Sequence, residues 1–261
     1  MTRGLDLYDP LAFWDARLGA RWDLSGVGHA AYSLGYNRWL YRAQGRALEQ
    51  ALYRARATVA GKSVLDVGSG TGHWLTWYAA WGAGPRTALE LSPIGALRLR
   101  ERFRDVTVAE GNIADPPPGL LSGTFAIVNI LGVVYHIVDP AAAERALANL
   151  ARLTAPGGRL VLSDALGSEE ATVAPHVRFR PLAFYEQRLP SLGFAIDVVE
   201  PVHTLLNGGL SAMARSRPVW LRRWIYSAED VLGPLLYLLD RAPGLGRHAN
   251  MRVMVATKIG G

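Results

Sequence analysis

The chain contains no cysteine, and that absence removes disulfides, thiolate metal sites and cysteine nucleophiles together. Lysine is nearly as scarce. Of the 28 basic residues only Lys62 and Lys258 are lysines, so the formal charge of +6 is carried by arginines spread along the chain. A basic balance suits polyanionic partners. The densest basic stretch, however, alternates as Arg98, Arg100, Arg102 and Arg104 around Leu99 and Phe103, which predicts a solvated helix face and no nucleic-acid partner. No apolar run reaches the roughly 18 residues of a membrane span, and the first residues carry acids where a signal peptide needs an apolar stretch. A cytoplasmic location without stable membrane insertion is expected.

What is present is a globular composition, 50% hydrophobic and 19% charged over 261 residues, enough for one large elaborated domain. Short apolar strands alternate with helices from about residue 62 to 165, which predicts an α/β fold, Rossmann-like and doubly wound. Strands are predicted at Ser63–Val67, Thr87–Leu91, Val106–Ala109, Ala126–Ile130, Arg159–Ser163, Ala195–Val199 and Val253–Lys258, giving a seven-stranded, mostly parallel sheet. Helices are predicted at His73–Trp81, Pro93–Phe103 and Ala141–Leu153, the last two opening near a proline. The expected organisation is a single domain: a helical cap over 1–60, a core over 61–202, a helical insertion over 203–249 and a last strand over 250–261. Within the cap, helices Asp9–Leu18 and Tyr36–Thr58 flank a glycine-bearing loop, Leu24–Ser33. The insertion carries Trp220, Trp224 and the apolar stretch Val231–Leu239, read as pocket lining, as a surface for a homodimer, or as a membrane-surface element.

The segment Val64-Leu65-Asp66-Val67-Gly68-Ser69-Gly70-Thr71-Gly72-His73 joins a buried strand to a helix through a glycine-rich turn. A nicotinamide dinucleotide site would place its last glycine at position 73 and would not tolerate Asp66 beside a pyrophosphate. A cationic ligand without phosphate removes the conflict, and S-adenosylmethionine carries both a sulfonium and an ammonium. The next strand then should end in an acid for the ribose hydroxyls, and Glu90 stands there before Leu91. The third should end beside the adenine, where Asn112 and Ile113 offer an amide and an apolar face.

These residues, with the turn Ala155-Pro156-Gly157-Gly158, resemble the class I S-adenosylmethionine-dependent methyltransferases over about residues 60 to 165 and again at Met251–Lys258. The resemblance is to small-molecule and sugar O-methyltransferases. It implies a donor site of Asp66, Gly68, Ser69, Gly70, Gly72, Glu90, Leu91, Asn112, Ile113 and Asn129, with S-adenosylhomocysteine as product. His136, in the loop after the fourth strand, is the expected base, and Asp164, ending the fifth, is expected to orient it or the acceptor. His29, Tyr36, Tyr135, Arg178, Arg180 and Tyr185 are expected at the acceptor pocket. Asn129-Ile130-Leu131-Gly132 lacks the double proline of amino-methyltransferases, and no carboxylate cluster suggests a divalent metal. The expectation is a metal-independent enzyme methylating a hydroxyl of a small or medium-sized acceptor. A nucleic-acid methyltransferase and a donor-binding cyclase or regulatory subunit remain as alternatives.

Overall fold

The structure, a computed structural model, describes residues 8–30, 32–121, 123–206, 217–242, 244, 249 and 251–259. Five strands, β1 (Val64–Val67), β2 (Arg86–Glu90), β3 (Val106–Glu110), β4 (Phe125–Ile130) and β5 (Thr154–Asp164), lie parallel. Two more, β8 (Phe194–His203) and β9 (Met251–Lys258), complete a seven-stranded sheet in the order β3-β2-β1-β4-β5-β9-β8, with β9 antiparallel to both neighbours. The order reverses between β1 and β4, which opens a crevice at their carboxyl ends where ligands of such sheets bind.

Strands buried on both faces send alternate side chains to opposite layers. Leu65, Val128 and Leu160 pack with Leu147 and Leu150 of α7 (Pro140–Leu153), while Val64, Ile127 and Val161 pack with Leu48 and Leu52 of α3 (Leu34–Arg54). Polar caps start the helices. Asp139 accepts from the amides of Ala141 and Ala142 before α7, and Ser92 accepts from Gly95 N before α5 (Pro93–Arg102). The helix α4 (His73–Ala80) follows Gly72, and α6 (Pro118–Leu121) is a single turn.

The cap differs in detail from the sequence expectation. After α1 (Pro10–Ala20), the predicted loop contains a four-residue helix α2 (Leu24–Val27), which forms because Asp23 accepts from Ser25 N and Gly26 N. The arginines of α5 are not merely solvated. Arg98 donates to Leu18 O at 2.6 Å and Gly19 O at 3.4 Å, placing a cation on the carbonyl end of α1, and Arg102 donates to Thr71 O in the glycine loop. Between β5 and β8 stand elements the periodicity did not announce: a hairpin of β6 (Ala171–Ala174) and β7 (Val177–Phe179), then α8 (Leu182–Arg188). Within the insertion the described residues include one helix, α9 (Val219–Leu239), which packs on α3 and continues through Pro234. Residues 207–216 and 245–248 of the predicted insertion lie outside the described residues. No described helix is long and apolar enough to cross a membrane.

Candidate active site

The turn after β1 lies at the crevice. Gly68 has φ +67° and Gly70 φ +53°, conformations that L side chains rarely adopt. A Cβ at Gly68 would meet Val133 at 2.5 Å, and one at Gly70 would meet Val27 of the cap at 2.7 Å. Backbone therefore approaches the crevice as closely as it can, and glycine alone permits it.

Below this turn Asp66 is 1% exposed. Its Oδ1 accepts from Asn129 Nδ2 at 2.7 Å, and its Oδ2 is buried without a partner among the described residues. Burial raises its pKa to about 7, against the lowering effect of the Asn129 and Ser69 hydrogen bonds. Asn129 in turn accepts from Tyr78 OH, so it positions Asp66 from within the core. Glu90 accepts from Gly70 N at 2.7 Å and Ser92 N at 3.0 Å; burial raises its pKa while those amides lower it. A carboxylate has about four acceptor positions, so Glu90 can tie down the glycine loop and still receive a ligand hydroxyl.

Gly70 and Glu90 border a cavity of about 100 Å³, which Asp66 and Asn129 do not line. Gly68, Ser69, Gly70 and Thr71 form its floor, Glu90 and Leu91 one side, and Leu131, Gly132, Val133 and His136 the other. The cap closes it with Trp14 and Leu18 of α1, Val27 of α2 and Tyr41 of α3, and His73 and Trp74 complete the wall. Sequence reasoning placed the cap segments containing Leu18 and Tyr41 over the site but gave His73 no role there. Tyr41 and His73 pack edge to face at 4.7 Å, a contact between elements that local sequence does not show. Arg17 reinforces the closure, donating to the Gly28 and Ser25 carbonyls with its guanidinium 5.2 Å from the Trp14 ring.

His136 belongs to a 3-10 turn, Val134–His136, after β4. Its ring packs against Trp14 at 4.9 Å, Tyr135 at 4.6 Å and, face to face, His176 at 5.6 Å. Nδ1 lies 2.7 Å from the His176 carbonyl. A carbonyl only accepts, so this contact assigns the hydrogen to Nδ1 and the lone pair to Nε2. Burial lowers the His136 pKa to about 3, reinforced by the charges of His176 and Arg17. That lies well below the ordinary histidine value of about 6.5.

Asp164 does not orient His136. It accepts from Tyr185 OH at 2.7 Å, Ala165 N at 2.7 Å and Arg180 N at 3.2 Å, and burial raises its pKa to about 6. Arg180, 1% exposed, sends its guanidinium to the carbonyls of Val134 and Ile137. Arg178 reaches Val138 O at 3.1 Å and pairs with Glu170 at 2.6 Å. These two arginines thus hold the His136 loop from behind, Tyr185 is tied to Asp164, and none of the three lines the cavity. Tyr36 is also interior, fully buried with its hydroxyl on Leu206 O. His29 is exposed and stacks on Tyr32 at 4.1 Å. Tyr135 stands beside His136, its hydroxyl within reach of Gly132, and burial raises its pKa. Asn112 is exposed and accepts from Ala114 N, while Ile113 is 4% exposed in the core beside Leu89; neither lines the closed cavity.

Comparison with known proteins decides the family. A family model described as a methyltransferase domain matches residues 36–194. The chain belongs to the class I S-adenosylmethionine-dependent methyltransferases. This methyltransferase is 36% identical over 211 residues to a ubiquinone biosynthesis O-methyltransferase of Pseudomonas paraeruginosa, covering 78% of this chain and 81% of the relative. It is 30% identical over 147 residues to a tRNA U34 carboxymethyltransferase of Syntrophotalea carbinolica, which spans 52% of this chain and 43% of that one. Among solved structures, the magnesium protoporphyrin IX methyltransferase of Synechocystis PCC 6803 with bound S-adenosylmethionine shares the fold, with a TM-score of 0.59, 16% identity and coverage of 95% and 94% of the two chains. The methyltransferase thus has a seven-stranded Rossmann-like sheet and a donor of S-adenosylmethionine.

Proposed function

We propose that this methyltransferase transfers the methyl group to a hydroxyl of a small or medium-sized organic acceptor, without a divalent metal. The observation that supports it most is His136, held as the Nδ1–H tautomer on the wall of the glycine-floored cavity. The relationship to O-methyltransferases over 211 residues agrees with it. Among the described residues no group of three or more His, Asp and Glu could hold a metal ion.

S-adenosylmethionine, when bound, supplies an electrophilic methyl on a sulfonium. In this reading the unpartnered Asp66 Oδ2 provides the buried acceptor for the donor's ammonium, a fit between an orphaned anion and a cation. Glu90 receives the ribose hydroxyls while holding Gly70 and Ser92. Asn112 and Ile113 would meet the adenine once the cavity opens to its bound size. The cap excludes water, and His136 receives the acceptor's proton at Nε2.

The test is turnover of methyl-labelled donor with a panel of phenols and catechols. Methyl appearing on oxygen, unaffected by exhaustive chelation, is expected; transfer only to nitrogen, or only after magnesium is restored, overturns the reading. The basic charge and the tRNA-modifying relative favour a second acceptor class, so transfer RNA belongs in the same panel.

A further inference from the structure

A second and larger recess opens on the far side of Tyr41 and His73. It is an open recess of about 950 Å³ between α3, α4 and α9, with Arg38, Arg42 and Arg241 exposed at its rim, and it shares those two side chains with the donor cavity. The volume lies at the upper end of ligand pockets, which run from about 300 to 1,000 Å³.

Its lining is arginine and aromatic. Arg38, Arg42 and Arg46 stand four residues apart on one face of α3, and Arg241 approaches from just beyond α9. Arg42 lies 4.7 Å over the Trp39 ring, and Arg46 lies 5.9 Å from the Tyr237 ring. Among the described residues six arginines have carboxylate partners, as in Arg54 with Glu200 and Arg188 with Glu144, and others, such as Arg98 and Arg180, donate to backbone carbonyls. Arg38, Arg42, Arg46 and Arg241 have no carboxylate partner among the described residues, and Arg46 Nε is buried without a hydrogen-bond partner. Among the described residues Glu49 and Asp230 bring negative charge to the recess, and Asp230 accepts from Ser33 Oγ at 2.8 Å. Trp39 seats against Gly233 of α9, where a Cβ would come within 2.4 Å, so the recess is framed by a close helix crossing.

The geometry points to this recess as the acceptor site, and to an acceptor that is an aromatic bearing an anionic group such as a carboxylate. Planar guanidinium groups bind carboxylates in a fork, and the neighbouring aromatic faces stack on a ring. Tyr41 and His73 line both the recess and the donor cavity, whereas His136 lines only the latter, so an acceptor anchored by the arginines has to pass its hydroxyl between Tyr41 and His73 to meet the methyl and His136. A nucleic-acid strand fits less well. Two carboxylates line the recess, and the arginines of α5 that could extend a basic track bind Leu18 O and Thr71 O instead. The assignment rests on the donor site proposed above.

Calorimetry on the full chain tests it without turnover, using caffeate, its neutral methyl ester, S-adenosylhomocysteine and a 12-mer of oligouridylate as probes. Caffeate is expected to bind at least about tenfold tighter than the ester. The double variant Arg38→Gln, Arg42→Gln is expected to abolish that preference while leaving ester and S-adenosylhomocysteine affinity within about twofold, which also shows that it folds. Equal affinity for acid and ester, absence of binding to both, or a preference that survives in the variant overturns the proposal. Binding confined to the oligouridylate gives the recess to phosphates of RNA. If S-adenosylhomocysteine fails to bind while caffeate keeps its preference, the donor assignment falls and the anion site stands.

Discussion

Burial holds the Asp66 carboxyl near a pKa of 7, so at neutral pH the resting site contains both its acid and its carboxylate. A cationic donor binds the carboxylate. Donor affinity is therefore expected to fall by about tenfold per pH unit below 7 and to level off above it, and Asp66→Asn should flatten that profile while weakening binding. Calorimetry at pH 5.5 to 8 reads both. Glu90→Ala removes acceptors for Gly70 N and Ser92 N as well as for the donor's ribose, and should weaken S-adenosylhomocysteine binding by about 2–4 kcal/mol. An unchanged dissociation constant would show that the ribose lies elsewhere. For His136 the lowered pKa of about 3 changes the expected kinetics. His136→Gln should lose about 10²-fold or more in kcat with donor binding preserved, and the wild-type rate should show no histidine limb near pH 6.5. A limb at 6.5 that disappears in the variant would mean the bound complex restores the ring's basicity.

At the scale of elements, the parts that local sequence determines were legible before the structure. A buried strand, a glycine turn and a helix are contiguous from Val64 to Ala80, and Glu90 ends the next strand as expected. Asp164, Arg180 and Tyr185 misled because their partners are remote: Arg180 holds carbonyls 43 and 46 residues earlier, and Asp164 accepts from a tyrosine 21 residues later. Type and position suggested a pocket, whereas the fold uses Arg180 as a fastener of the His136 loop and ties Tyr185 to Asp164. The β6–β7 hairpin escaped because its strands, of four and three residues, are too short for an alternating pattern to stand out. Arg180→Met is expected to strand the Val134 and Ile137 carbonyls and to lower stability by about 3 kcal/mol, seen as a drop in Tm together with a fall in kcat. Arg98→Ala uncouples the carbonyl end of α1 and should quicken amide exchange across Pro10–Ala20 with little change in the sheet.

For the whole molecule, the buried groups among the described residues that favour their neutral forms divide by sign, with Glu90 on the side of Asp66 and Asp164. Asp66 and Asp164 have pKa values raised to about 7 and about 6, so folding takes up protons and their contribution improves stability as pH falls from 7 toward 4. His73 and His136 have values lowered to about 4 and about 3, so folding releases protons and their contribution is lost as pH falls below 6.5. The two trends oppose one another, and wild-type Tm is expected to vary little between pH 5 and 7. Asp66→Asn leaves the histidines dominant, so its Tm should drop on acidification relative to wild type; parallel melting curves would sink this account.

The donor cavity, at about 100 Å³, is smaller than the 300 Å³ or more that a nucleoside-sized ligand occupies. With the donor placed as proposed above, Trp14, Leu18 and Val27 of the cap are expected to withdraw from the glycine loop as the donor enters, and again as the spent product leaves. Each catalytic cycle then contains two gate openings that involve no bond making, and the slower of them sets a ceiling on turnover whatever the acceptor's reactivity. Solvent viscosity should slow the steady-state rate while leaving a single turnover from the preloaded enzyme unchanged.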